Sequence, residues 1–85
     1  MVMNRITDVW VDESAVFAKT ADGRIASYPF SLWPKLMRAT REQQKDFFLS
    51  YSGIHWPQID EDLSFAGMFA YCGVEDAREE EFVYE

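Results

Sequence analysis

The sequence predicts a small α+β domain, built from a three- to four-stranded antiparallel meander sheet with two or three short helices packed on one face. Two observations favour this fold. In the first third of the chain, β-branched and aromatic residues alternate with polar ones around an Asp-Gly pair, which is typical of a hairpin. After residue 30, apolar residues recur at helical spacing behind serine and threonine caps. The 85 residues suffice for a single core.

The meander is predicted to contain three strands, at residues 6–12, 15–20 and 25–28. Between the second and third strands, Asp22-Gly23 supplies the positive φ that a tight turn needs. Pro29 ends the third strand because it has no backbone N–H to donate to a neighbouring strand. These strands form the sheet of the predicted domain.

The predicted helices span residues 32–38, 41–48 and 65–71. Each follows a residue that favours the N-cap position: Ser31, Thr40 and Ser64. Gln43 completes a capping box with Thr40, since the two side chains can bond each other's backbone N–H groups. A short extended segment at 54–56 supplies the fourth strand, because Pro57 biases the preceding residue towards β geometry.

The charge of the chain is uneven. The formal net charge is −7, and residues 75–85 carry −5 of it, with one arginine against six acids. We therefore divide the chain into a domain at 1–74 and an acidic, flexible tail at 75–85. Phosphate backbones and anionic lipids repel such a chain, so we expect no direct binding to nucleic acid or membrane. A small basic protein is the complementary partner.

The sequence also indicates a compartment. It shows no apolar segment typical of a signal peptide, and its longest apolar run, at 65–74, is half of the ~20 residues that a membrane helix needs. Cys72 is the single cysteine, so the chain can form neither an internal disulfide nor a thiolate cluster. We expect Cys72 to be a small buried hydrophobe and the protein to be cytoplasmic.

The only histidine lies in the segment His55, Trp56 and Pro57, which we interpret as a structural motif. In this interpretation the imidazole donates to a backbone carbonyl or to a nearby carboxylate. A metal site with Asp60 and Asp62 is the alternative, since imidazole and carboxylates suit zinc or manganese. Such a site would lack a second imidazole and any thiolate. We therefore expect no metal and no cofactor.

Ser52, His55 and Asp60 follow the order of a catalytic triad along the chain. They lie within nine residues, whereas a triad usually draws its members from separate elements. No Gly-x-Ser-x-Gly nucleophile elbow accompanies them. We therefore assign no catalytic residue and expect a protein that is not an enzyme.

Trp10 is the first candidate for binding a partner. Because side chains alternate across a strand, Trp10 lies on the face opposite Val9 and Val11, beside Phe17 or Ala18 according to the register. A large aromatic on an open sheet face is typical of a docking surface. The alternative is that a loop or the tail covers this indole.

Two acidic segments supply the other candidates. Asp60, Glu61 and Asp62 precede the last helix, where each acid interacts with the positive helix end by about 0.3–1 kcal/mol. The same carboxylates can face a basic partner. The tail is either a disordered solubilising extension or a linear motif, in which Phe82 and Tyr84 enter apolar pockets of the partner.

The chain resembles a bacterial family, domain-of-unknown-function family 2442, over residues 4–73. The resemblance lies in the Ile-Thr-Asp-Val start at 6–9, the Asp22-Gly23 turn, and the Gly-Ile-His-Trp-Pro segment at 53–57 with Ile-Asp-Glu-Asp at 59–62. It implies a small α+β fold. It also implies frequent gene neighbourhood with a second small uncharacterised family, a pairing often proposed to be a toxin–antitoxin system. No catalytic residues are established for the family, so none are transferred.

From these features we expect a non-enzymatic protein-interaction module, most concretely an antitoxin-like partner of a small basic protein. The alternative is a small-ligand-binding or sensory domain with a pocket near Tyr51, His55 and Trp56. The open face or edge of the sheet also allows a homodimer.

Overall fold

The computed structural model describes residues 4–75, 77, 78 and 81–85. Over these residues the chain forms seven strands in two sheets, three α-helices and one 3-10 turn, so the fold is α+β as predicted. The strands are β1 (Asn4–Val11), β2 (Ala15–Thr20), β3 (Ile25–Pro29), β4 (Phe48–Leu49), β5 (Gly53–Trp56), β6 (Glu61–Ser64) and β7 (Phe82–Val83). The helices are α1 (Pro34–Arg38), α2 (Arg41–Lys45) and α3 (Phe65–Tyr71), and the 3-10 turn is Phe30–Leu32.

The first sheet has the strand order β3-β2-β1-β7 and contains the predicted meander. Strands β1, β2 and β3 pair antiparallel, and Gly23 has a φ of 92° in the predicted Asp-Gly turn. Strand β7, however, lies parallel to β1, so the sheet is mixed. The prediction of a purely antiparallel meander is therefore wrong, because it could not include a strand that arrives from the far end of the chain.

Strand β7 comes from the segment that we predicted as a tail outside the domain. Phe82 pairs with Asn4 and Val83 with Arg5, and both apolar side chains are buried. The ring of Phe82 stacks on that of Phe69 at 4.5 Å between centroids. Phe82 and Val83 therefore belong to the sheet and the core, contrary to the expected tail. The acids at positions 76, 79 and 80 lie outside the described residues.

The second sheet has the order β4-β5-β6, with both pairs antiparallel. We predicted a single extended segment at 54–56 as the fourth strand of the meander. It is instead the central strand of a separate sheet, because it has a hairpin partner on each side. On one side the N–H of Ser50 donates to the carbonyl of Gly53 at 2.9 Å. On the other side Ile54 stands opposite Leu63.

Two of the three predicted helix starts are confirmed. Thr40 and Gln43 form the capping box that opens α2. The hydroxyl of Ser64 accepts from the N–H of Gly67 at 2.9 Å, and α3 has the predicted bounds. These signals were reliable because a cap and the N–H that it binds lie three residues apart in the sequence.

The other helix predictions need correction. Helix α1 begins at Pro34, and Trp33 is its N-cap in place of Ser31. The reason is that a residue before proline avoids the helical region, and Trp33 has φ −127° and ψ 95°. Helix α2 ends at Lys45, so Phe48 begins strand β4 instead of ending the helix.

The centre of the core is Trp56, which is fully buried. Its indole N–H donates to the carbonyl of Gln44 at 2.9 Å, and the ring lies 5.8 Å from that of Phe47. The side-chain amide of Gln44 in turn donates to the carbonyl of Leu36 at 2.9 Å. Trp56 therefore connects β5 to both α1 and α2, which is the role of a structural residue.

The burial of β7 gives a first prediction. We expect Phe82→Ala to lower the free energy of unfolding by about 3–5 kcal/mol, because it removes a buried ring and leaves a cavity beside Phe69. Tyr84→Ala, two residues away and partly exposed, is the matched control and should cost less than about 1 kcal/mol. Urea denaturation followed by circular dichroism measures both. A loss in the free energy of unfolding for Phe82→Ala that is no larger than the loss for Tyr84→Ala would contradict this prediction.

The approach of β5 to β6 gives a second prediction. A Cβ atom at Gly53 would collide with the backbone carbonyl oxygen of Leu63, which cannot move without disturbing the ladder. We expect Gly53→Ala to cost about 1–3 kcal/mol. Gly67→Ala is the control, since its Cβ would meet side-chain atoms in place of backbone: Oγ of Ser64 at 2.7 Å and the phenol oxygen of Tyr28 at 2.8 Å, with Cζ of Tyr28 at 3.9 Å. A larger loss for Gly67→Ala in the same denaturation assay would contradict the expected rigidity of the β5–β6 backbone.

Candidate functional site

The position of the site follows from the alternation of side chains along β5. Ile54 and Trp56 point into the core and are fully buried. Gly53 and His55 therefore lie on the opposite face of the second sheet, where His55 is only partly buried. This open face is where the histidine becomes available for polar contacts.

His55 is hydrogen-bonded through both ring nitrogens. Its Nδ1 lies 2.6 Å from Oδ1 of Asp62, directly opposite on β6. Its Nε2 lies 2.6 Å from the hydroxyl of Ser50, in the turn between β4 and β5. The ring of Phe48 stacks on the imidazole at 4.9 Å between centroids. We call Ser50, His55 and Asp62 the relay, and it links the turn, the central strand and the edge strand.

A cleft of about 380 Å³ opens beside the relay. Its lining includes the polar residues Ser52, His55, Asp62 and Ser64, together with Gly53 and Leu63. Tyr28 and Trp33 line the cleft as well, with ring centroids 5.3 Å apart in an edge-to-face arrangement. The cleft therefore combines a polar side, which contains a carboxylate, with an aromatic side.

Tyr28 is fixed by its surroundings. A second ring, that of Tyr71, lies 5.3 Å from it at an angle of 52°. Its hydroxyl lies near Gly67, where any Cβ atom would be 2.8 Å from the phenol oxygen. Burial is the main cause that raises the pKa of the Tyr28 phenol above its ordinary value. The phenol is therefore a neutral hydrogen-bonding group over the physiological range.

The structure bears on the metal site and the catalytic triad that the sequence analysis weighed around His55. Neither Ser52 nor Asp60 bonds to His55; Ser50 and Asp62 do. The carbonyl of Asp60 instead accepts from Nζ of Lys35 at 3.0 Å. Across the part of the chain that the structure describes, no three His, Cys, Asp or Glu side chains are grouped closely enough to hold a metal ion.

The acids predicted to bind a partner have different environments. Asp60 takes a positive φ of 54° in the turn between β5 and β6. Glu61 stands opposite Trp56 in the ladder, and Asp62 is engaged with His55. Their position before α3 differs from the prediction: Glu61 and Asp62 are paired in β6, and the N-cap of the helix is Ser64. Partner binding by these acids stays a prediction.

Trp10 lies on the face of the first sheet opposite Val9, as the alternation of side chains predicts. The register sets it across from Phe17, and their rings stack at 5.4 Å with 10° between the planes. Trp10 is 37% exposed, so about a third of its surface is accessible among the described residues, and its role in binding a partner stays a prediction. Asp8 precedes it on the same face, opposite Lys19. We call Trp10, Phe17 and Asp8 the outer patch.

The turn after β1 holds a carboxylate in a fixed conformation. Oδ1 of Asp12 accepts from the N–H of Ser14 at 2.8 Å and from that of Ala15 at 2.9 Å. The bond from Ser14 is the main cause that lowers the pKa of Asp12, and Arg41 contributes to the same shift. Asp12 therefore remains ionised in the turn that directly follows β1.

Three further candidates have mixed outcomes. Phe82 is buried against Phe69, so it cannot enter a partner's pocket without leaving the core. Tyr84 is 37% exposed, and its N–H donates to the carbonyl of Tyr51 at 2.8 Å. Cys72 is exposed, not buried as predicted, and its sulfur contacts the backbone of Ser27 at the edge of β3.

Sequence reasoning missed Ser50, Tyr28 and Trp33 as members of the site. Ser50 could have been found: a hairpin over 50–53 sets Ser50 on the same face as His55. Tyr28 and Trp33 carried no such signal. They reach the cleft only because β3 and the start of α1 pack near the second sheet, which is a tertiary contact.

Comparison with known proteins places the fold in context. A crystal structure of a protein of unknown function from Rhodospirillum rubrum superposes with a TM-score of 0.67 at 25% sequence identity. The match covers 85% of this chain and 93% of that one. Among curated proteins there is no significant match. In the described residues, no helix is long and apolar enough to cross a membrane.

The family resemblance noted from the motifs is confirmed independently. The model of the DUF2442 family, described as a protein of unknown function, matches residues 6–73. This range includes most of β1, all of β2 to β6 and α3, and with them both the relay and the outer patch. The chain therefore belongs to the DUF2442 family of proteins of unknown function.

Proposed function

We propose that this protein is a non-enzymatic interaction module whose outer patch docks a small basic protein, in the manner of an antitoxin that neutralises its partner. The single observation that carries the proposal is the indole of Trp10, which is 37% exposed and stacks on Phe17 across the first sheet. Tryptophan is among the residues that most often dominate the binding energy of an interface.

The geometry of the outer patch supports this role. Stacking on Phe17 holds the Trp10 ring in one orientation, so little side-chain entropy is lost on binding. An arginine of a basic partner can lie over the indole face while its guanidinium reaches the carboxylate of Asp8. Lys19 lies opposite Asp8 and repels a cation. A cation of the partner is therefore expected to bind on the Trp10 side of the outer patch.

The charge of the whole chain supports the same class of partner. At a net charge of −7, the protein attracts a cationic partner over distances of about 8–10 Å at ordinary ionic strength. This attraction accelerates encounter and decreases with salt, whereas the aromatic contact does not. The two contributions are therefore separable by measuring binding at low and high salt.

The family resemblance suggests the protein to test, namely the product of the adjacent gene. We expect co-expression to give a stable complex and to restore growth that this product inhibits. Trp10→Ala should weaken the complex about 30-fold, the effect of losing a hot spot of about 2 kcal/mol. Isothermal titration calorimetry on the purified pair measures the affinity.

Two variants control this experiment. Met37→Ala removes an exposed apolar side chain of α1 that is not part of the outer patch, and should bind like the unmodified protein. Asp8→Lys should slow association and reduce its salt dependence while leaving the Trp10 contact in place. No complex and no restored growth, or equal weakening by Trp10→Ala and Met37→Ala, would refute the proposed docking surface.

The relay fits a bracing role in this proposal, although its three residue types are those of a hydrolytic triad. The side chain of Asp62 is 69% exposed, whereas the triad carboxylate of a serine hydrolase is buried. The hydroxyl of Ser50 also lies 3.4 Å from the carbonyl of Gly53, so a backbone acceptor competes with the imidazole. We therefore assign the relay to holding β4, β5 and β6 together.

This assignment is testable with a reagent for activated serines. We expect no labelling of Ser50 by a fluorophosphonate probe, and no hydrolysis of p-nitrophenyl acetate above the rate of the Ser50→Ala variant. Ser52→Ala, in the same turn, is the control for changes in local structure. Labelling at Ser50 by mass spectrometry, with activity lost in Ser50→Ala and kept in Ser52→Ala, would establish an enzyme.

A further inference from the structure

The cleft beside the relay has no part in docking at the outer patch. Its volume of about 380 Å³ lies within the range of sites for small molecules. Its lining includes Gly53, which has no side chain, and the small residues Ser52 and Ser64. The cleft therefore has the size for a small-molecule ligand.

The aromatic rings that line the cleft are held in place by contacts within the protein. Tyr28 is held between Trp33 and Tyr71, each 5.3 Å away, so its ring does not have to be ordered by a ligand. Trp33 packs against the core by its remaining surface. A flat apolar group can lie against these rings without a large entropic loss.

The polar side of the cleft selects the charge of the ligand. Asp62 is the acidic residue among those that line it, and none of the described lining residues is lysine or arginine. Oδ1 of Asp62 is engaged with His55. In the described part of the chain, Oδ2 has no hydrogen-bond partner and is available to a donor. An anionic ligand would meet this carboxylate without any lysine or arginine to offset it.

We propose that the cleft binds a small organic amine, with its ammonium group at Oδ2 of Asp62 and its apolar body against Tyr28 and Trp33. A carboxylate next to aromatic rings is the combination that favours an ammonium ion, because both the charge and the ring faces attract it. His55 acts as a positioning residue, since its bond to Oδ1 fixes the orientation of the carboxylate.

The test uses three probes with the same apolar body: 2-phenylethylamine, 2-phenylethanol and 3-phenylpropionate. The three tryptophans provide three indole N–H signals in a ¹⁵N-correlated NMR spectrum, which Trp10→Phe and Trp33→Phe assign. We expect the amine to shift the Trp33 signal with a Kd of about 1 mM, as its roughly nine non-hydrogen atoms allow. The signals of Trp10 and of buried Trp56 should not move.

The charge dependence decides the proposal. We expect the alcohol to bind about 10-fold more weakly than the amine and the carboxylate not to bind at millimolar concentration. Asp62→Asn should weaken the amine about 10-fold and leave the alcohol unchanged, whereas Trp10→Ala should change neither. Because Trp10 lies on the other sheet, a failure here leaves the docking proposal intact, and the reverse also holds.

Three outcomes would overturn the proposal. They are no shift of the Trp33 signal at about ten times the expected Kd, equal binding of amine and carboxylate, and unchanged amine binding in Asp62→Asn. If Asp62→Asn does not fold, the comparison of the three probes on the unmodified chain decides the question alone.

Discussion

The burial of Trp56 is the constraint on which most of this structure depends. An indole N–H in a core needs an acceptor, and the carbonyl of Gln44 supplies it at 2.9 Å. Helix α2 has only five residues, too few to be stable alone, so its position relies on contacts of this kind. Gln44 then bonds Leu36 at the last turn of α1, and one aromatic ring thereby orders β5 and two helices.

The same constraint determines where the polar chemistry lies. Because side chains alternate along a strand, fixing Ile54 and Trp56 in the core leaves Gly53 and His55 on the other face. His55 then meets whatever β4 and β6 present there, namely the turn at Ser50 and the carboxylate of Asp62. The orientation of His55 towards the relay is thus a geometric consequence of packing a tryptophan one residue after it in the same strand.

The sequence predicted the parts of the fold that depend on neighbours within a few residues. The Asp22-Gly23 turn, the Thr40 capping box and the Ser64 cap are of this kind. It did not predict β7, because its pairing with β1 joins opposite ends of the chain and leaves no local pattern. For the site, the histidine was evident, but its partners depend on the hairpin registers, which select Asp62 over Asp60. Tyr28 depends on the packing of two sheets, beyond any pattern within one strand.

Some of the acids that give the chain its negative charge also stabilise its turns. Asp12 and Asp22 are held in turns, the former by the backbone N–H of Ser14 and the latter by the hydroxyl of Thr20, and these bonds lower the pKa of both carboxylates. A lowered folded-state pKa means that their contribution to stability is present above the unfolded-state pKa and lost as pH falls through the folded value. The first role of these two carboxylates is therefore to stabilise the turns that contain them. At the outer patch, Asp8 lies on the same face as Trp10, so in the proposed docking this carboxylate and the indole together form the contact with a basic partner.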